Sequence, residues 1–153
     1  MEWTTLAATS LGAIIGIGST LLADRLRAAR EQTQRTEAMR QQLYADYLAA
    51  LSRVADDLHA LGSSTDRTEM RARVSETWRR GDAYPLRYHM TISAPPNMVP
   101  VSDSCFRRLR AFRDVVATGA GSGTPSFEAA QNAYDQALTT LRGLMRTDLN
   151  TPS

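Results

Sequence analysis

From Trp3 to Ala23 the chain runs 21 residues without a charge, and no other feature constrains its architecture as strongly. A helix of that length spans about 31 Å, close to the roughly 30 Å hydrocarbon core of a bilayer. Leu6, Leu11, Ile14, Ile15, Ile17, Leu21 and Leu22 supply the apolar mass. Ala, Gly, Ser and Thr fill most other positions, so no side of the helix is made for water as one side of a core helix would be. The expectation is a transmembrane anchor over residues 1–23.

The flanking charges predict its direction. A secretory leader begins with basic residues, whereas here Met1-Glu2 precedes the apolar run and Arg25, Arg27, Arg30, Arg35 and Arg40 follow it. The positive-inside rule then puts the N-terminus outside and the C-terminal domain in the cytoplasm of a single-pass cell-membrane protein. Trp3 suits the outer interface. Ala8, Gly12, Gly16 and Thr20 recur every fourth residue. Such a stripe of small residues lets two membrane helices pack closely, which predicts self-association through the span. Gly18 lies off the stripe, so chance glycine in a Gly/Ala-rich span is the competing reading.

Between Asp24 and Leu61 there is neither Pro nor Gly, and good helix formers dominate. Residues 24–42 read as a polar helical stalk. A coiled coil would need apolar residues where Arg30, Thr33, Glu37 and Arg40 stand. From Tyr44 the periodicity changes. Tyr44, Tyr47, Leu51, Val54, Leu58 and Leu61 recur at threes and fours, a buried helical stripe. Gly62 is expected to close it as a left-handed C′ residue, with Ser63-Ser64 as the turn.

A second helix is expected from Thr65, with Met70, Val74 and Trp78 inward, bent or ended at Gly81. Leu86, Tyr88, Met90 and Ile92 alternate with polar residues as a strand would. A lone strand has no partner, however, and Tyr84, Tyr88 and Ile92 also fit a helical stripe. The reading is a helix restarted at Asp82 with Pro85 in its first turn; an extended segment stays open. After the Ala94-Pro-Pro turn, Met98, Val101, Cys105, Leu109, Phe112 and Val116 mark a third stripe. Beyond a Gly-rich loop, the last helix is expected to open near Thr124 or Ser126 with Pro125 at its start, and Phe127, Ala130, Tyr134, Ala137, Leu138, Leu141, Leu144 and Met145 lie on one face. The fold class is therefore all-α: an N-terminal transmembrane helix continuing into a stalk, an antiparallel helical bundle over 43–149, and a tail over 150–153.

The chain of 153 residues has one cysteine, Cys105, which excludes a disulfide framework and a Cys-rich zinc site. Its 18 basic residues are all Arg, a composition that genome bias explains more simply than selection for phosphate contacts. A net charge of +2 is too small for nucleic-acid binding, and none is expected. His59 and His89 have no metal-ligand spacing, and no phosphate-loop, dinucleotide or nucleophile-elbow motif occurs. Cys105 falls on an apolar stripe and reads as a buried thiol. No catalytic, cofactor-binding or metal-binding residue is assigned. Arg107, Arg108, Arg110 and Arg113 form the densest basic cluster, read as a solvated face or as a surface for anionic lipid or an acidic protein.

Leu43-Tyr-Ala-Asp-Tyr-Leu48 after an Arg-rich stalk, the Ala94-Pro-Pro turn and the closing Met145-Arg-Thr-Asp-Leu149 together resemble a group of uncharacterised bacterial proteins. That resemblance implies one N-terminal span followed by a small helical domain, and no activity. The expected function is a non-catalytic adaptor or scaffold, its partners the lipid bilayer and another protein or a second copy. A small-ligand sensor would need an apolar cavity near Trp78, Tyr84 and Tyr88. An enzyme would need a pocket holding His89 and Cys105 together. A pore former would need ionisable residues in the span, and it has none.

Overall fold

The computed structural model describes the backbone of residues 3–151 and the side chains of residues 27, 30–32 and 34–151. Five helices follow in order: α1 (Trp3–Ser63), α2 (Met70–Arg80), α3 (Ala83–Ser93), α4 (Met98–Ala117) and α5 (Pro125–Asn150). No strand occurs among the described residues. The chain divides into two units, residues 1–39 and 40–152. Among the described residues no helix is long and apolar enough to cross a membrane. The expected anchor over 1–23, with its Ala8, Gly12, Gly16 and Thr20 stripe, lies outside the described side chains. In the first unit, residues 30–32 and 34–39 are exposed.

The second unit is built on the apolar stripes. Tyr44, Tyr47, Ala50, Leu51, Val54 and Leu58 from α1 are buried with Met98, Cys105, Phe106, Leu109, Phe112 and Val116 from α4. Phe127, Tyr134, Leu138, Leu141 and Met145 complete the core from α5. Every buried side-chain nitrogen and oxygen among the described residues has a hydrogen-bond partner, which the low interior dielectric demands. Tyr44 Oη donates to Asp148 Oδ2 at 2.8 Å, and Tyr134 Oη donates to the carbonyl of Leu51 at 3.0 Å. These pairs run in opposite sequence directions, so α5 is antiparallel to α1. Ser102 Oγ donates to Tyr47 Oη at 3.2 Å near the start of α4. Further along α4, Phe112 packs on Phe127 with ring centroids 5.1 Å apart.

Phe127 also lies against Gly62 at the end of α1. Helices α1 and α4 therefore run parallel, while α5 and the short α2 oppose both. The short α2–α3 segment makes this possible by returning the chain to the level of Tyr47 before α4 begins. Packing contacts begin at Arg40, whose Nη1 lies 3.5 Å from Asp148 Oδ2.

Three expectations about the short segments change. Gly62 is not a left-handed cap: it lies inside α1, which continues to Ser63, and the positive-φ glycines are Gly119 and Gly123. Its reason is space, because a Cβ there would run into the buried Phe127 ring. Phe127 is itself wedged between Phe112 and His59 and cannot swing aside. Gly62→Ala should therefore destabilise the bundle by about 1–3 kcal/mol, the usual cost of overpacking, read as a lower urea midpoint; an unchanged midpoint would refute the tight fit.

The second helix begins at Met70 and not at Thr65. Side chains capture the intervening backbone in other ways. The Asp66 carboxylate accepts from the Thr68 backbone N–H at 2.9 Å, a bond that holds its pKa below the ordinary value. Arg67 Nη2 donates to the Gly62 carbonyl at 3.0 Å.

Residues 83–93 are helical, so the alternating pattern marks no strand. Nor are Tyr84, Tyr88 and Ile92 the buried stripe: α3 buries Ala83 and Met90, and those three are exposed. Asp82 enters the helix with φ 51°, a left-handed conformation that a short Asp side chain tolerates.

Candidate functional site

The chemistry-bearing side chains gather where α2 and α3 lie on α4. Phe106 is the hub. It is 1% exposed and takes Trp78 of α2 at 5.5 Å and Tyr84 of α3 at 5.4 Å, the latter nearly perpendicular. Tyr88 continues the series at 5.8 Å from Tyr84. Two guanidiniums close over the rings. Arg87 sits 5.0 Å from the Phe106 centroid while its Nε donates to Asp103 Oδ1 at 2.9 Å. Arg113 sits 4.5 Å from the Trp78 centroid, and its Nε and Nη2 donate to Asp114 Oδ1 at 2.9 and 2.6 Å. Each cation is thus held by one aromatic face and one carboxylate, which favours a fixed geometry.

This aromatic series is packed, so it is not the apolar cavity that a ligand sensor would need beside Trp78, Tyr84 and Tyr88. A groove of about 380 Å³ does open at Trp78, between α2 and the C-terminal half of α4. Val74, Trp78 and Ala117 line it together with Arg71, Ser75, Arg113, Asp114 and Thr118, so its walls are mostly apolar with charged groups at the margin. A second groove of about 370 Å³ lies between α1 and α3, with Asp46, Arg53 and Asp82 beside Ala49, Pro85 and Leu86.

The four arginines of the basic cluster have different surroundings. Arg113 is committed to Trp78 and Asp114. Arg107, Arg108 and Arg110 are exposed, and among the described residues none has a carboxylate within ion-pair distance. On a helical wheel Arg110 falls on the Phe106 side of α4 and Arg108 on the opposite flank. Cys105 is fully buried, and burial pushes its thiol up to about 12. His59 is exposed and touches Phe127 edge-on, with centroids 5.8 Å apart. His89 is exposed on α3. No group of three or more His, Cys, Asp or Glu suited to a metal occurs among the described residues.

Sequence periodicity missed Phe106, one position off the Cys105/Leu109/Phe112 stripe. The available signal was the aromatic neighbourhood itself: Trp78, Tyr84 and Tyr88 on the short helices need an aromatic or cationic partner. No family model, curated protein or solved structure matches this chain.

Proposed function

We propose that the chain is a single-pass, membrane-anchored helical bundle that acts as a non-catalytic adaptor or scaffold and associates with itself through its span. What supports this reading is the charge-free run Trp3–Ala23 with its basic flank, which has the length and charge order of a membrane anchor. The positive residues Arg25, Arg27, Arg30, Arg35 and Arg40 follow the run and favour a cytoplasmic bundle with the N-terminus outside.

The non-catalytic part rests on where the reactive groups are. A nucleophile must be ionisable and reachable, and Cys105 is neither: it is buried, with a strongly raised pKa. The hydroxyls of Tyr44 and Tyr134 are spent on Asp148 and on the Leu51 carbonyl. What the bundle does offer is exposed surface, where among the described residues Arg107, Arg108 and Arg110 are some of the arginines with no carboxylate within ion-pair distance. Partner binding is the function such a surface serves best. The ligand-sensor reading keeps one supporting observation, the groove at Trp78, whose volume falls in the range of small-molecule sites.

Reporter fusions and membrane crosslinking test the proposal. A fusion after Thr151 should report cytoplasm, and the chain should resist alkaline extraction. Crosslinking in membranes should trap dimers. Gly12→Ile with Gly16→Ile keeps the span apolar but adds bulk where two backbones must approach, so dimers should fall sharply. A C-terminal reporter on the outside would overturn the orientation. Equal crosslinking in both variants would remove the span as the association site.

A further inference from the structure

The solvent-exposed side of α3 carries Tyr84, Tyr88 and Ile92, which are 43%, 54% and 81% exposed, with one edge of the Tyr84 ring on Phe106. Their spacing of four residues makes them one contiguous stripe. They are three of the five large apolar side chains exposed among the described residues, so the exposure is concentrated and not scattered. No acidic residue lies between Ala83 and Ser93; the exposed Asp82 stands at the N-terminal end of the helix, one negative charge against the two of Arg107 and Arg110. The acids on neighbouring α2 and α4 are already committed: Asp103 to Arg87, Glu76 to Arg79 and Arg80, and Asp114 to Arg113. Phe106, on which Tyr84 packs, is followed on α4 by Arg107 and, one turn on, Arg110. Both are exposed and lack an ion-pair partner among the described residues. The local surface is therefore apolar and aromatic with net positive charge beside it.

We propose that this face, Tyr84, Tyr88 and Ile92 with Arg107 and Arg110, docks on an anionic phospholipid surface. Tyrosine suits the headgroup region because its ring is apolar and its hydroxyl is wet. Isoleucine enters the acyl boundary, and arginines meet the phosphates. A second copy is the poorer occupant, because a two-fold contact through this face would set Arg107 and Arg110 near their own symmetry mates without acids between them. The inference rests on the anchored reading in one respect: a tether raises the local lipid concentration, so a modest interfacial affinity suffices.

The test uses the full chain in vesicles, with Thr91→Cys carrying an environment-sensitive nitrobenzoxadiazole label. Thr91 is exposed beside the stripe, and the buried Cys105 does not compete for the label. Emission should rise and shift to the blue in phosphatidylglycerol–phosphatidylcholine vesicles and stay low in phosphatidylcholine alone. The Tyr88→Ser, Ile92→Ser variant, which leaves the Tyr84–Phe106 contact in place, should lose the response with unchanged helix content. Arg107→Gln with Arg110→Gln should weaken docking about 25-fold, since each basic side chain at an anionic surface is worth about fivefold. Equal emission in the two lipids, or an unaltered response in the serine variant, overturns the proposal. So does brightening that follows protein concentration and not lipid, which would mean a second copy. Alkaline extraction of the same vesicles reads the anchor separately. An embedded chain that never brightens refutes the face alone; a chain that brightens yet is extracted refutes the anchor alone.

Discussion

Raising the pH from about 10 to about 12 should unfold the bundle cooperatively, with tyrosinate absorbance appearing as helical ellipticity disappears. Burial pushes Tyr47 up from 10.0 to about 12 and Cys105 up from 9.0 to about 12, and it raises Tyr134 further still. In the folded state these groups keep their protons; in the unfolded chain the thiol ionises near 9 and the phenols near 10. Their contribution to stability is therefore complete below pH 9 and is lost as pH rises toward the folded values. Each group removes about 1.4 kcal/mol per pH unit once its unfolded form is ionised. Three of them together remove about 4 kcal/mol per unit, against a typical total of about 5–15 kcal/mol for a domain. Tyr134→Phe should make the pH dependence shallower by one proton. Gradual ionisation of all tyrosines with helix content retained would show that these phenols are not held in the core.

Phe106→Ala should cost about 3–5 kcal/mol, the range for truncating a buried aromatic. The ring is 1% exposed, and its removal leaves Trp78, Tyr84 and Arg87 without their common partner. The damage should be uneven. Helices α1, α4 and α5 keep their Leu51, Leu109, Leu141 and Phe112 contacts, so hydrogen exchange should accelerate first in α2 and α3. Urea titration gives the size of the loss, and exchange peptide by peptide gives its location. A loss under 1 kcal/mol, or uniform acceleration across all five helices, would mean Phe106 is not the hub.

The three long stripes of the bundle were legible because each helix there buries one face against two neighbours. Tyr44 to Leu58, Met98 to Val116 and Phe127 to Met145 repeat at threes and fours, and a single buried face requires that repeat. The last helix start was legible too. Thr124 caps it by accepting from the Phe127 N–H, with Pro125 behind it, a local signal that needs no tertiary partner.

The short helices were not legible in the same way. Helices α2 and α3 have 11 residues each, about the length at which isolated helices are marginal in water, so packing decides which face turns inward. In α3 the larger apolar residues, Tyr84, Tyr88 and Ile92, fit a helical stripe as well as the smaller set does. The core took Ala83 and Met90 instead. Small Ala83 lets the helix start approach closely, and Arg87 could then reach both Asp103 and Phe106. Gly62 makes the same point from the opposite direction. By itself it reads as a helix stop, and only the Phe127 ring across the bundle shows that the chain needed room there. The sequence by itself determined the long helices, their period and the Thr124 start, because those depend on neighbours within a turn or two. The tertiary structure alone decided which face of a short helix is buried, which glycine is steric and which arginines keep their charge unpaired. Those depend on partners 16 to 65 positions away in the chain, from Arg87–Asp103 to Gly62–Phe127.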